Sequence, residues 1–214
     1  MIIIHNECAK DSLFGDRPFF AYKNSCKTAE MERKMDRFNI MTDGDGTLVV
    51  FDKTKGLDEI SAPGYYRGLP ILGNISKALE YCSEYSDIYL VSAVMPYPHV
   101  IPDKDYCYEN IVPFIRSDRR VYTEYGRPKA EQIDGRINIL PGDVFLDDYT
   151  PNLIEMSSAH PEITCIKVMN GINGTKGTWD GPRLYAFSSI KSIANTIIGL
   201  HLAKLQELGL LKTA

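Results

Sequence analysis

The chain of 214 residues and 24.1 kDa has room for one α/β domain with some decoration and excludes two independent enzymes, since a domain typically uses about 100–200 residues. Its composition, 44% hydrophobic with 24% charged and 10% aromatic residues, excludes wholesale disorder, because that much apolar surface can offset chain entropy. With 24 Lys+Arg against 28 Asp+Glu the net charge is −4 and the pI near 5.6, so no global positive field draws the chain to DNA, RNA or an acidic membrane, and no dense local basic patch replaces one.

Residues 1–37 are polar and weakly periodic and form an N-terminal extension set apart from the repeat that occupies residues 38–214. The stretch 36–52, DRFNIMTDGDGTLVVFD, reads as strand, acidic glycine-rich turn and second strand, with the first apolar run at Phe38 to Met41. Residues 74–83 place Ile75, Ala78, Leu79 and Cys82 at helical spacing. IYLV at 88–91 is a continuous apolar run of the kind found in strands buried on both faces, and it stops at Ser92. Residues 106–115 predict a helix broken by Pro113, and RVYT at 120–123 a short strand. VFL at 144–146 ends in Asp147 and Asp148, followed by a helix-compatible TPNLIEMSS with Thr150 as N-cap and Pro151 at N1. ITCIKV at 163–168 reads as strand. Residues 188–211 form a long amphipathic helix closed near Gly209.

Strand followed by helix, repeated about five times, predicts an α/β fold: a three-layer, Rossmann-like domain with a central, mainly parallel sheet of about five strands. Ligands of such sheets bind at the carboxyl ends of the strands, and Asp43, Ser92 and Asp147 all fall at such ends. The loop 171–181, GINGTKGTWDG, carries the only tryptophan, Trp179, and its GxxGxxG follows the last strand, so it is not a dinucleotide fingerprint.

Five cysteines (Cys8, Cys26, Cys82, Cys107, Cys165) include no CxxC pair, and the four histidines show no ligand spacing, so buried thiols and structural or surface histidines are expected. The opening MIII is too short for a signal peptide and no run of about 20 apolar residues occurs. A soluble cytoplasmic protein without a membrane partner is expected.

The sharpest chemical feature is Asp43-Gly44-Asp45-Gly46-Thr47. Two carboxylates one residue apart after a buried strand are costly unless a cation or a reaction needs them. A calcium loop of EF-hand type would want Asp or Asn at Thr47, Gly at Leu48 and Glu at Thr54, and all three are wrong. A nucleophile with its own acid/base partner two residues on remains, beside the alternative of a solvated turn.

Here the sequence resembles the haloacid dehalogenase superfamily of phosphotransferases, whose first motif is a strand followed by DxDGT. Ser92 after IYLV is similar to the second motif, Lys129 in GRPKA to the third, and Asp147-Asp148 in VFLDD to the fourth, all in order along the chain. GYYRGLP at 64–70, VSAVMPYP with DKDY, and FLDDYTPNL resemble a narrower branch, the bacterial 5′(3′)-deoxyribonucleotidase-like proteins.

The resemblance implies a phosphomonoesterase acting on a small phosphorylated substrate, a nucleoside monophosphate or a similar small phosphate ester, and the acidic pI argues against a nucleic-acid partner. Asp43 would attack phosphorus to form an aspartyl-phosphate, and Asp45 would act as acid and then base with a pKa raised by its acidic neighbours. Mg²⁺ would be held by the Asp43 carboxylate, the Asp45 carbonyl and the Asp147/Asp148 pair. Lys129 and Ser92, with backbone amides of the loop, would stabilise phosphate charge, and Gly44 and Gly46 would let the backbone approach it.

One departure stands out. Asp43 and Ser92 are only 49 residues apart (92 − 43), so the helical cap those proteins carry is strongly reduced, to about residues 52–73. The extension, a second subunit of a homo-oligomer, or a large substrate such as a phosphoprotein at an open site would compensate. Tyr65, Tyr66 and Trp179 are candidates to stack on a base, or else they pack the sheet edge; Arg67 would meet phosphate or sugar, or else form an exposed ion pair. A phosphate-binding protein without catalysis is the non-enzymatic alternative.

Overall fold

The computed structural model describes residues 37–172 and 178–211. The expected extension, Arg37 excepted, and the glycines at 174 and 177 lie outside the described residues, as do Cys8, Cys26 and His5.

Six strands form a single all-parallel sheet in the order β3-β2-β1-β4-β5-β6: β1 (Phe38–Thr42), β2 (Ser86–Val94), β3 (Arg120–Glu124), β4 (Val144–Asp147), β5 (Thr164–Met169) and β6 (Arg183–Tyr185). The helices are α1 (Leu57–Ile60), α2 (Ile75–Cys82), α3 (Val100–Ile111), α4 (Lys129–Ile133), α5 (Thr150–Ala159) and α6 (Ile190–Glu207). This is the expected α/β architecture with one more strand, the three-residue β6, too short to leave a periodic signal.

Strand alternation assigns the faces. Met41, Val91, Phe145 and Cys165 share a cluster with Ala130 and Ile133 of α4 and Leu153 and Met156 of α5. Their neighbours Ile40, Leu90 and Ile166 are equally buried and belong to the opposite face, where α2 and α6 pack together and bury Ile75, Leu79, Ile193 and Ile197.

Four expectations shift at their edges. The apolar run after the loaded turn is not a ladder strand: Leu48 and Val49 are buried, and Val49 makes isolated bridges to Asp45 and Ile71, with Val50 donating to Pro70 and Leu72 to Leu48. β2 runs past Ser92 to Val94 because its second half pairs with β3, Ser92 opposite Tyr122. α3 begins at Val100, with Pro102 in its first turn, and ends before Pro113. Thr150 is the first residue of α5 rather than its cap; its hydroxyl accepts from Lys167 Nζ at 2.6 Å.

Register places the chemistry. Thr42 of β1 lies opposite Leu90 of β2 and Leu146 of β4, so Asp43, Ser92 and Asp147 leave the same edge of the sheet within two residues of that line. Among the described residues, no helix is long and apolar enough to cross a membrane, and Cys82, Cys107 and Cys165 are buried free thiols.

Candidate active site

Asp43 directly follows β1, its amide bonded to the Leu146 carbonyl, and its carboxylate is buried. Lys129 opens α4, whose first two amides are capped by Glu155 of α5, from Lys129 N at 3.2 Å and Ala130 N at 2.8 Å. That cap aims the Lys129 ammonium between two carboxylates, 2.6 Å from Asp43 Oδ1 and 2.8 Å from Asp147 Oδ2. Asp147 is held further by the Tyr149 amide (2.7 Å) and Asn152 Nδ2 (2.9 Å). Asn170 Nδ2 donates to Asp148 Oδ2 at 2.9 Å and to the Gly46 carbonyl at 2.7 Å, tying the fourth motif to the first.

Asp43, Asp147 and Asp148 each offer one oxygen within 4.8 Å of the others. Burial pushes Asp43 up to about 7, against the pull of Lys129 and with the charges of Asp147 and Asp45 adding to it. Burial and the same neighbours, Asp147 and Asp43, raise Asp148 well above the usual carboxylate range. Burial works against the Lys129 ammonium, but the charges of Asp147 and Asp43 outweigh it and raise its pKa. Three crowded, partly dehydrated carboxylates with a single ammonium among them are a donor set that a hard divalent cation would relieve.

The glycines serve the protein's own side chains. A Cβ on Gly44 would stand 1.9 Å from the Tyr108 hydroxyl, and one on Gly46, at φ +81°, 2.5 Å from Asp148 Oδ2. Gly46, Thr47, Leu48 and Val49 direct their amides back into the loop, whereas those of Gly44 and Asp45 have no acceptor among the described residues. Two adjacent donors of this kind suit an anion.

Asp45 differs from expectation. Its nearest partner is a cation rather than another carboxylate: Lys104 of α3 reaches Oδ2 at 2.5 Å, and Tyr108, one turn on, donates to Oδ1 at 3.3 Å. Ser92 is wholly buried behind it, accepting from Lys104 at 2.8 Å and lying 3.3 Å from Tyr108 Oη. Lys104, Tyr108, Asn152 and Asn170 were not expected at the site. The signal for Lys104 lay in the sequence: residues 100, 104, 107 and 108 form one buried stripe of α3, and a lysine within it requires a counter-charge.

The site opens into a cleft of about 880 Å³, bordered by Asp43, Asp45, Lys129, Asp147 and Asp148 and walled by Phe51, Leu57, Tyr66, Tyr125 and Tyr149. The short segment between the first two motifs therefore supplies one wall. Of the four residues proposed to hold substrate, Tyr66 is on that wall. Tyr65 packs edge-on against it at 5.1 Å and does not border the cleft. Arg67 is drawn away by Asp103 (2.5 Å) and covers the Tyr106 ring. Trp179 is packed in the core with Cys165 and Met156, its indole N–H donating to the Pro182 carbonyl, so it is a packing residue.

No family model and no curated protein matches the sequence. Solved structures do match. A protein described as a haloacid dehalogenase-like hydrolase from Burkholderia xenovorans LB400 superposes with a TM-score of 0.52 at 12% identity, over 76% of this chain and 95% of that one. An uncharacterised protein of Listeria monocytogenes serotype 4b gives 0.53 at 14% identity, over 76% and 98%. A haloacid dehalogenase-like family hydrolase from Xanthomonas campestris gives 0.52 at 8%, over 79% and 98%. The fold is thus that of haloacid dehalogenase-like proteins.

Proposed function

We propose that the chain is a Mg²⁺-dependent phosphomonoesterase that forms an aspartyl-phosphate on Asp43 and acts on small phosphate esters, nucleoside monophosphates first among them. The observation that carries this reading is the Lys129 ammonium held between Asp43 and Asp147 at the edge of an 880 Å³ cleft. Asp43, Asp147 and Asp148, with the Asp45 carbonyl, would hold Mg²⁺, which when bound offsets the repulsion between these carboxylates and a phosphate dianion.

A carboxylate oxygen of Asp43 attacks phosphorus while the bond from phosphorus to the ester oxygen breaks, and Asp45 gives its proton to that departing oxygen. Asp45, now ionised, takes a proton from water. The water oxygen attacks the same phosphorus, the bond from phosphorus to Asp43 breaks, and inorganic phosphate leaves with both aspartates restored. Lys129 and the amides of Gly44 and Asp45 stabilise charge on the remaining phosphate oxygens. The aromatic wall supports a leaving group with a flat apolar face, such as a nucleobase.

Purified protein with Mg²⁺ should release phosphate from p-nitrophenyl phosphate and from members of a deoxynucleoside monophosphate panel, and Asp43→Asn should abolish both. Equal turnover by the two proteins contradicts the reading. Turnover of phosphopeptides with none of nucleotides would replace the substrate class and keep the chemistry.

A further inference from the structure

Lys104 stands outside every task assigned above, yet its side chain is 0% exposed and sits directly behind the cleft. An ammonium has three N–H bonds, and all three are taken: by Asp45 Oδ2 at 2.5 Å, Ser92 Oγ at 2.8 Å and the Ala93 carbonyl at 2.8 Å. The Tyr66 ring covers Nζ at 4.5 Å from its centroid. Neither a donor nor an open face remains for a substrate, so Lys104 acts on whatever it holds. What it holds most tightly is Asp45.

The two oxygens of Asp45 are held unequally. Oδ2 is gripped by a charge-assisted bond to a lysine that is itself anchored twice to β2. Among the described residues, Oδ1 has only the long contact from Tyr108. Gly44 permits even that contact, since any side chain there would displace the Tyr108 hydroxyl. The first motif and α3 are therefore built around one another.

We infer that Lys104 is a positioning residue for Asp45: it fixes Oδ2, leaving Oδ1 as the oxygen that exchanges a proton with the leaving group and then with water, and Ser92 acts through Lys104 as its anchor. The inference rests on Asp45 serving as acid and base, and it adds which residue aims it. A reacting group misplaced by about 1 Å loses on the order of 10²-fold in rate.

The test compares p-nitrophenyl phosphate, whose leaving group needs no proton, with a deoxynucleoside 5′-monophosphate, whose alkoxide does, both with Mg²⁺. In Lys104→Met, kcat/KM on the nucleotide should fall on the order of 10²-fold and on the aryl ester less than about tenfold, because kcat/KM stops at phosphoryl transfer to Asp43, whereas kcat also includes the water step that Asp45 serves for both esters. Tyr108→Phe, which keeps the ring packing, should shift the same ratio in the same direction by a smaller factor, and it carries the test if Lys104→Met does not fold. An equal loss of kcat/KM on the two esters, unchanged kcat/KM in both variants, or a wild type that turns over the aryl ester alone overturns the inference and leaves the phosphatase reading standing. A wild type that turns over neither ester overturns both.

Discussion

The two ends of β4 each hold a buried aspartate, and their surroundings differ in kind. Asp143, just before the strand, accepts from the Asn39 amide (2.7 Å), Asn39 Nδ2 (2.8 Å) and the Leu140 amide (2.8 Å). Its three donors are neutral, and they do one thing: tie β1 to the turn before β4. Asp147, at the other end, shares an ammonium with Asp43 and faces Asp148 within metal-binding distance. A lone carboxylate met by neutral donors is architecture, whereas a crowd of carboxylates short of cations is a site in need of a partner.

The largest expected effect separates the two ends directly. Asp43→Asn should remove phosphate release, while Asp143→Asn should keep kcat within about threefold and lower stability by roughly 1–3 kcal/mol, the usual cost of weakening charged hydrogen bonds. Phosphate release and urea melts on both variants check this, and the pattern reversed would break the distinction.

Next in size is Gly46→Ala. Its positive φ costs a β-carbon about 1–2 kcal/mol, and that carbon would meet Asp148. The proposed metal site predicts that Mg²⁺ raises the wild-type Tm; the variant should lose most of that rise, while a matched change at Gly64, which has a similar φ but open space around it, should keep it. Thermal melts with and without Mg²⁺ read both.

The pH dependence is smaller and has a fixed sign. Burial raises Asp43 from its ordinary value of 3.8 to about 7, so between these values the folded state binds more protons than the unfolded one, and stability falls as pH rises. Asp43→Asn lacks this penalty. Without metal, its Tm relative to wild type should therefore climb from pH 4 to pH 7, and a flat or falling difference would deny that burial holds the Asp43 carboxyl above its ordinary range.

Smallest is the opposite trend at His201, which donates from Nδ1 to the Gly142 carbonyl at 2.8 Å and stacks on Phe38. Burial lowers its pKa below 6.5, with the Gly142 bond acting the other way, so its contribution is present above pH 6.5 and is lost as pH falls further. His201→Gln should therefore gain on wild type as pH falls, its Tm relative to wild type being about a degree or two higher at pH 5 than at pH 7.

Much of this was legible in the sequence because it is carried by short, strongly patterned segments. FNIMTDGDGT and VFLDD each set a continuous apolar run against acid, which fixes strand direction and loaded end together. What was hidden depends on distance along the chain. Asn39 meets Asp143 across 104 residues and Asn170 meets Gly46 across 124, and no local periodicity reports either. Trp179 takes the packing alternative left open for it, but in the core beside α5 and β5, a placement that a lone tryptophan in a glycine-rich loop does not report. Arg67 and Tyr65 share a motif with Tyr66, but a turn of 3₁₀ helix sends neighbouring side chains in different directions, and only Tyr66 faces the cleft.

The central claim is that Asp43 is a phosphoryl acceptor working beside a divalent cation. Beryllium fluoride, which mimics an aspartyl-phosphate, tests it most directly by ¹⁹F NMR. A bound signal that requires both Mg²⁺ and Asp43, present in wild type and lost in Asp43→Asn or on chelation, is the predicted result. Wild-type protein that gives no bound signal with Mg²⁺, or an Asp43→Asn signal equal to wild type, would contradict it.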